Sequence, residues 1–289
     1  MLRKNIINQT PVWKTMFEGQ GRNVLENLRV EEAIEQLLMY TKAVQEAETV
    51  SLLSANGRIL AEDMKAERDN PPFDRAPVDG YACKAEDLAG ALPEKQVTLK
   101  VIREVDAGEY FDGTVQHGEA VRIMTGAAIP AGCNCCVRQE TVQIYKSMEQ
   151  WEDYCFQGED FKKGTVLLKK GTKLSFIEIG ILASMGVAEV PVIRRARVAV
   201  LTTGDEVMKP GEELKLGKIY DCNQSLLAAR LMDFGAELTR IDKIPDNPQD
   251  MAEAVREAAE VSDLIITTGA VSVGKKDIMH ESLRLMGAE

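Results

Sequence analysis

The spacing of apolar and polar positions changes along the chain, and each spacing predicts a different kind of structure. Within residues 30–45 an apolar side chain recurs every three or four positions, which is the period of a helix with one apolar face. The positions on this face are Val30, Ala33, Ile34, Leu37 and Leu38. Residues 49–66 predict a strand, a turn at Asn56-Gly57, and a second strand or short helix. The polar, irregular residues 1–25 predict a loosely held N-terminal arm.

The pattern then changes to short β-prone runs separated by glycine, proline and aspartate turns. We therefore predict a β-rich domain over residues 67–149. A helical pattern returns over residues 175–185 and ends at Gly186. We expect residues 26–66 and 150–190 to form one discontinuous linker domain into which the β-rich domain is inserted.

From residue 191 onward, predicted strands alternate with predicted helices. The strand at 198–203 is almost wholly apolar, as in a sheet that is buried on both faces. The helix after it carries apolar side chains on one face, at Leu227, Leu231 and Phe234. The next helix begins at Asn247 and Pro248, a strong N-terminal signal. The apolar positions on its inner face are Met251, Ala254, Val255 and Ala258.

A third strand at 263–268 and a last helix at 278–286 complete a β-α-β-α-β-α order, which predicts a parallel sheet in an α/β domain over 191–289. The chain ends at Glu289, where a fourth strand would begin, and a three-stranded sheet leaves an open apolar edge. We therefore expect this domain to be incomplete at its C-terminus. The predicted fold class is α/β multidomain.

Composition narrows the possible functions. The formal net charge of −11, from 46 acidic and 35 basic side chains, argues against nucleic acid as a partner because such binding depends on Lys and Arg. No apolar run approaches the ~20 residues that span a membrane, and the N-terminus has no signal-peptide pattern. We therefore expect a cytoplasmic protein. Only two histidines are present, so a hard cation would have to be held by carboxylates.

The six cysteines include a Gly-Cys-Asn-Cys-Cys run at 132–136 that invites a zinc or redox interpretation. The run lacks a second Cys-x-x-Cys at metal spacing, and neighbouring cysteines seldom pair with each other. We expect reduced, partly buried thiols, as in a reducing compartment.

Two matching strand ends are the first candidates for chemistry: Leu201–Glu206 and Ile266–Gly274. Ligands of open parallel sheets bind beyond the carboxyl ends of the strands, and Thr-Thr-Gly offers hydroxyls and backbone N–H groups to phosphate. Asp205 and Glu206 are suited to a divalent cation. The alternative is that glycine only turns the chain and the acids cap a helix.

Lysines after the second strand end, Lys275 among them, suit bound phosphate, and Asp277 suits a cation; alternatively they form a solvated helix start. Two further candidates are the proline-rich loop that ends in Asp79-Gly80 and the strand end at Thr125. Their structural alternatives are a rigid turn and a plain strand end. The stretch around Asp221 and Asn223 precedes a helix and fits a cap.

Taken together and in order, these segments resemble the molybdenum insertase family, the molybdopterin molybdenumtransferases, which includes bacterial MoeA-type enzymes and the E domain of gephyrin. The matching stretches are PPFDRAPVDGYA, GEAVRIMTGAAIPAG, GEDFKKGTVLL, VAVLTTGDEV, IYDCNQ and TTGAVSVGKKD. The resemblance implies an elongated homodimer and a reaction on adenylylated molybdopterin. Molybdate and a divalent cation such as Mg²⁺ take part, molybdenum joins the dithiolene and AMP is released.

The resemblance also implies roles for individual residues. It assigns catalysis to Asp79, Thr125, Asp160, Glu206, Asp246 and Asp277. Together with the strand-end argument, it assigns binding of the pterin nucleotide to Thr202, Thr203, Gly204, Asp221, Asn223, Gly269, Ser272, Gly274 and Lys275. It assigns the metal to Asp205, Glu206 and Asp277. It further implies that Asp79 and Thr125 serve the α/β crevice of the partner subunit, and that the upstream molybdopterin adenylyltransferase is a partner.

The chain departs from the family pattern at Ala270, where a second glycine is usual, and at Asn134, where an aspartate is usual. A lysine- and proline-rich segment that helps to hold molybdate would lie beyond Glu289, so we expect this chain to insert molybdenum poorly. The alternatives are a scaffold protein of the same fold and a nucleotide-binding enzyme that shares only the α/β domain. Molybdenum and tungsten oxyanions have the same charge and shape, so the sequence does not distinguish them.

Overall fold

The computed structural model describes residues 29–92, 94–139, 147–269 and 278–287. The chain separates into two compact units. The first unit comprises residues 1–62, 171–175 and 189–289, and the second comprises 63–170 and 176–188. The division into arm, linker, β-rich and α/β domains given above stays a prediction.

The helices of the described residues are α1 Val30–Tyr40, α2 Phe176–Ser184, α3 Cys222–Asp233, α4 Pro248–Val261 and α5 Met279–Leu285. The strands are β1 Ala47–Ser51, β2 Met64–Lys65, β3 Gly80–Cys83, β4 Lys100–Val105, β5 Glu119–Ile123, β6 Cys135–Arg138, β7 Val166–Leu168, β8 Glu189–Ile193, β9 Arg197–Thr203, β10 Val207–Met208, β11 Ile219–Tyr220, β12 Glu237–Ile244 and β13 Leu264–Thr268. Two short 3-10 helices lie at Leu52–Ala55 and Ala85–Leu88.

A parallel sheet in the order β12-β9-β13 forms the centre of the first unit. The central strand β9 is buried from Val198 to Thr203, which confirms the prediction of a strand covered on both faces. Helix α4 packs its buried side chains against Ala199 and Leu201 of that strand. The buried positions of α4 include all four that the sequence predicted, at Met251, Ala254, Val255 and Ala258.

Helix α4 begins as predicted, because the Asn247 side chain accepts hydrogen bonds from the N–H groups of Gln249 and Asp250. Helix α3 has half-buried side chains at Leu227 and Leu231, whereas Phe234, predicted on the same face, is 64% exposed. Phe234 lies beyond the last turn of the helix as its C-cap, where its ring is covered by the Arg230 guanidinium at 4.3 Å.

Two smaller features complete the first unit. Strands β1 and β8 form an antiparallel pair. Arg194, just after β8, donates two hydrogen bonds to the Asp263 carboxylate and is also paired with Glu46. Helix α1 ends at Tyr40 rather than near residue 45, and its apolar positions Val30 and Leu37 are exposed among the described residues.

The second unit contains a four-stranded sheet in the order β4-β5-β3-β6. Strand β3 is antiparallel to both neighbours, whereas β4 is parallel to β5. Gly80 begins β3 with no space for a side chain, because a methyl group there would lie 1.9 Å from the carbonyl oxygen of Val137. Helix α2 ends as predicted before Gly186, whose φ of +80° favours glycine.

All six cysteines lie in the described part of the chain as free thiols, four of them buried. Cys83 and Cys135 are opposite each other on β3 and β6, with 3.7 Å between their sulfur atoms. Burial raises the pKa of Cys133 to about 12. Among the described residues, no helix is both long and apolar enough to cross a membrane.

Candidate functional site

The two Thr-Thr-Gly strand ends lie side by side at the carboxyl edge of the parallel sheet. Thr268 of β13 pairs with Thr202 of β9, so Gly204 and Gly269 leave the sheet next to each other. Both glycines have positive φ, +128° at Gly204 and +87° at Gly269. A methyl group on Gly269 would lie 2.8 Å from Thr203 Oγ1. Glycine at 269 is therefore needed for the two strand ends to approach this closely.

The turn that follows β9 is held by its main chain. Asp205 N–H donates to Asp246 Oδ2 at 3.1 Å, and Val207 N–H donates to the Gly204 carbonyl at 3.2 Å. The Glu206 carbonyl accepts from Ile219 N–H at 2.9 Å. The conformation of the turn is therefore fixed by hydrogen bonds to residues in or next to β12 and β11, as well as to Gly204 at the end of its own strand.

The Glu206 carboxylate folds back over Gly204. A methyl group on Gly204 would lie 2.9 Å from Glu206 Oε1 and 3.0 Å from Oε2. Glu206 and Asp205 are both exposed, and Asp246 approaches them from the end of β12. Three predicted site acids thus converge on one edge of the sheet.

Lysine side chains that the sequence analysis did not single out support the same turn. Lys218 Nζ donates to the Asp205 carbonyl at 2.6 Å, and Lys243 Nζ donates to the Val207 carbonyl at 2.6 Å. Lys243 lies in strand β12 and Lys218 lies just before β11. The sequence gives no distinct signal for Lys243, because β12 also contains Glu237, Arg240 and Asp242.

Thr202 and Asp221, both predicted to bind the nucleotide, are hydrogen-bonded to each other. This pair is called the Thr202–Asp221 bracket. The buried Asp221 carboxylate accepts from Thr202 Oγ1 at 2.7 Å and from Gln224 N–H at 3.0 Å. Asp221 is the N-cap of α3, as its position before a helix suggested, and it ties that helix to β9. Asn223 is exposed in the first turn of the same helix. The nucleotide-binding roles of Thr202 and Asp221 stay predictions.

The described residues contain no group of three or more His, Cys, Asp or Glu side chains placed to hold a metal, and this includes the cysteine run. Two adjacent exposed carboxylates, Asp205 and Glu206, are nevertheless a donor set that fits magnesium. Mg²⁺ is usually bound by one or two carboxylates together with substrate phosphates and water rather than by an all-protein cage. The third predicted ligand, Asp277, lies outside the described residues, as do Ser272, Gly274, Lys275 and the unusual Ala270.

A second group of predicted residues lies in the β-rich second unit. The Asp79 carboxylate accepts from both the N–H and the hydroxyl of Thr125, each at 2.7 Å. These hydrogen bonds, the backbone one most strongly, lower the pKa of Asp79, and the positive charge of Arg122 acts in the same direction. Asp79 and Thr125 therefore form one anionic unit, with Asp79 ionised at neutral pH.

Three loops meet around this unit through main-chain pairing. Arg75 exchanges backbone hydrogen bonds with Cys155 on one side, at 2.9 and 3.1 Å. On the other side, Ala76 N–H donates to the Ala127 carbonyl at 3.0 Å. Residues 70–79 thus lie between the Thr125-Gly126 loop and the loop that carries Asp160.

Asp160 is held by the loop of residues 70–79. Its carboxylate accepts from Asn70 Nδ2 at 3.1 Å, and Arg75 Nη2 is 4.0 Å away. The side-chain hydrogen bond to Cys155 is the largest cause that raises the pKa of Arg75. Burial acts in the opposite direction, and nearby negative charges, Asp160 among them, raise this pKa further. Arg75 therefore remains a cation within this group of acids.

The sequence did not predict a pair of hydrogen bonds on Asp74, here called the Asp74–Tyr154 brace, that joins these loops. Asp74 accepts from the Tyr154 hydroxyl at 2.5 Å and from Gln157 N–H at 2.7 Å. Burial, then the hydrogen bond to Asp74, raises the pKa of Tyr154 above its usual range. No local pattern signals this contact, because the partners are 80 or more residues apart in the chain.

Comparison with known proteins finds two family matches. Residues 28–186 match the MoeA N-terminal region (domain I and II), and residues 199–289 match a family described as "Probable molybdopterin binding domain". A molybdopterin molybdenumtransferase of Staphylococcus epidermidis is 35% identical over 269 residues, covering 91% of this chain and 64% of the relative. That of Bacillus subtilis is 36% identical over 271 residues, covering 90% and 63%.

Among solved structures, the molybdopterin biosynthesis MoeA protein of Pyrococcus horikoshii superposes with a TM-score of 0.76 at 36% identity. That match covers 83% of this chain and 65% of the Pyrococcus chain. The chain thus spans about 64% of the length of the first curated relative. The matches to the MoeA N-terminal region and then to the molybdopterin binding family agree with the resemblance seen in the motifs.

Proposed function

The chain belongs to the MoeA family, and on that premise we propose that it serves molybdenum cofactor biosynthesis as part of a molybdopterin molybdenumtransferase. It binds adenylylated molybdopterin at the carboxyl ends of β9, β12 and β13. There it contributes to joining molybdenum from molybdate to the dithiolene, with release of AMP. The curated relatives carry this enzyme name, and the activity is proposed for this chain from them.

The observation that carries the proposal is the turn after β9. Gly204 and Gly269 bring two strand ends together without side chains, which leaves room for an anionic ligand to approach the main chain closely. The turn itself is fixed by hydrogen bonds to the main chain, which lowers the cost of ordering it on binding. An acidic protein thereby gains a local site for phosphate.

The carboxylates supply the second requirement. Asp205 and Glu206 would hold a magnesium ion against the phosphates, and bound magnesium supplies positive charge that stabilises the departing AMP. The Glu206 carboxylate lies over Gly204, so a cation held there would be next to the glycine turn. Asp246 holds the Asp205 N–H and so orients the turn.

In the second unit, we propose that Asp79 and Thr125 act together on the reacting groups. Thr125 keeps the Asp79 carboxylate ionised and fixes one of its oxygens, which leaves the other to orient a substrate donor. Asp160, fixed by Asn70, contributes a further charge. We also propose that the protein works in the cytoplasm as a homodimer and receives its substrate from the molybdopterin adenylyltransferase.

Calorimetric titration with adenylylated molybdopterin tests the proposal. The native chain should bind only weakly without magnesium, and Glu206→Gln should weaken binding in magnesium by roughly tenfold or more. Glu212→Gln, a matched change at an exposed acid of the same unit, should leave binding unchanged. Absence of binding to the native chain, or binding that ignores both magnesium and Glu206, would contradict the proposal.

A further inference from the structure

We infer that Lys218 and Lys243 are positioning residues, whose ammonium groups hold the Asp205–Val207 turn in the conformation that presents Glu206. The inference rests on the proposed function of that turn and deepens it. The two lysines are defined here as the lysine clamp.

The geometry of the clamp is the first argument. The two ammonium groups bind the carbonyl oxygens of Asp205 and Val207, the residues on either side of Glu206, each at 2.6 Å. Hydrogen bonds from a charged donor to a carbonyl are shorter and stronger than neutral ones. Both residues that flank Glu206 in the chain are therefore fixed by a cation.

The second argument concerns the hydrogen bonds of the main-chain groups in the turn. Among the turn's other main-chain groups, the Asp205 N–H donates to Asp246 Oδ2, the Glu206 carbonyl accepts from Ile219 N–H, and the Val207 N–H donates to the Gly204 carbonyl. Without the lysines, two carbonyl oxygens of this turn would lose their donors. The acidic side chains would then sit on a segment able to change its main-chain conformation.

The cost of Lys243 is the third argument. Position 243 lies within β12, opposite Thr202 of the buried strand β9, and its side chain is only half-exposed. Charged residues occur elsewhere in this strand, but partial burial of an ammonium group is unfavourable unless the group is paired. The carbonyl of Val207 provides that pairing.

Charge is the fourth argument. Asp205, Glu206 and Asp246 place three carboxylates at this edge of the sheet, and mutual repulsion opposes their convergence. Two ammonium groups beside the same turn offset that repulsion before any cation or substrate arrives. The clamp therefore prepares the turn for a ligand instead of requiring the ligand to order it.

Methionine variants test the clamp because methionine keeps the length of the side chain and removes the donor. In Lys218→Met and Lys243→Met, amide hydrogen exchange at Asp205 and Val207 should become roughly tenfold faster, as expected for loss of a charge-assisted hydrogen bond. Affinity for adenylylated molybdopterin in magnesium should fall by roughly tenfold. Lys243→Arg, which keeps a charged donor, should restore both properties to within about threefold.

Lys209→Met is the matched control, since Lys209 is an exposed lysine of the same unit and the charge change is equal. It should change neither exchange nor affinity. Unchanged exchange in both clamp variants overturns the inference. Faster exchange with undiminished affinity overturns it as well, because the order of the turn would then not matter for binding.

Failure of the proposed function is distinguishable from failure of the clamp. If the native chain does not bind the nucleotide, the proposed function is wrong, whereas the exchange rates of the unliganded protein still decide whether the lysines order the turn. If Lys243→Met does not fold, Lys218→Met decides the matter, because Lys218 lies in a loop outside the parallel sheet.

Discussion

The acids at the sheet edge and the acids of the β-rich unit are organised in opposite ways. At the sheet edge, Asp205 and Glu206 follow directly from a buried strand, and their positions are set by a turn of a few residues. In the β-rich unit, Asp79 and Thr125 are 46 residues apart, and Asn70 and Asp160 are 90 apart. The first arrangement depends on local geometry, and the second depends on long-range pairing between loops.

This difference predicts which region is more easily disrupted. Loss of one loop contact in the β-rich unit should separate its acids from their partners, because these pairs join segments that are far apart in the chain. Substitutions at the sheet edge should weaken ligand binding before they destabilise the fold.

The largest expected effect is on stability of the β-rich unit. Gly80→Ala places a methyl group 1.9 Å from the Val137 carbonyl oxygen, which the backbone of β6 can relieve only by moving. We expect the free energy of unfolding to fall by about 3 kcal/mol in urea titrations.

Gly118→Ala is the control, since Gly118 has no atom within 4 Å of the added methyl group and is strained only by its positive φ of +78°. Its cost should be about 1 kcal/mol, from backbone strain alone. Equal losses in the two variants would show that close packing at Gly80 is not what holds β3 in place.

A smaller effect should separate two helix caps of the first unit. Asp221→Ala removes the cap of α3 and also leaves the buried Thr202 hydroxyl without its acceptor, so we expect a loss of about 2 kcal/mol. Asn247→Ala removes only the cap of α4 and should cost about 1 kcal/mol. Thermal unfolding followed by circular dichroism compares them. A cost no greater for Asp221 than for Asn247 would mean that the Thr202 bracket contributes nothing.

The smallest effect concerns the pKa of Asp79. Thr125→Val removes the hydroxyl donor but keeps the backbone N–H, so the pKa of Asp79 should rise part of the way back toward its ordinary value. Because the folded pKa is lowered, the stabilisation from this pair is present above the ordinary pKa of Asp and is lost as pH falls through the folded value.

Carboxyl chemical shifts measured by NMR across the acidic range report this pKa directly. The stability difference between native protein and Thr125→Val should also shrink on acidification. An unchanged Asp79 pKa in the variant would assign its shift to the backbone donor alone.

Much of the fold follows from local sequence signals. The buried run of β9, the Asn247-Pro248 start of α4 and its apolar period all report short-range geometry, and the structure matches them. The pairing of strand ends could also be predicted, since parallel strands end at a common edge. Helix α1 is shorter than its apolar period suggested, because the period describes a face and not a terminus.

The rest depended on contacts that no local pattern encodes. The Asp74–Tyr154 brace joins distant loops, and the Thr202–Asp221 bracket uses a cap whose second hydrogen bond is not visible in sequence. Lys243 is not distinguished by sequence, because it is one of several charged residues in β12 and such residues suggest only solvated positions. The role of Lys243 depends on where the turn after β9 folds.

The proposed function requires that the pterin nucleotide docks on the ends of β9 and β13, where Gly204 and Gly269 turn the chain. Amide NMR spectra recorded during titration with adenylylated molybdopterin and magnesium test this claim most directly. The signals of Gly204 and Gly269 should shift on binding, while that of Gly235, which precedes β12 at the opposite edge of the sheet, stays in place. Binding that leaves Gly204 and Gly269 unshifted would contradict the account.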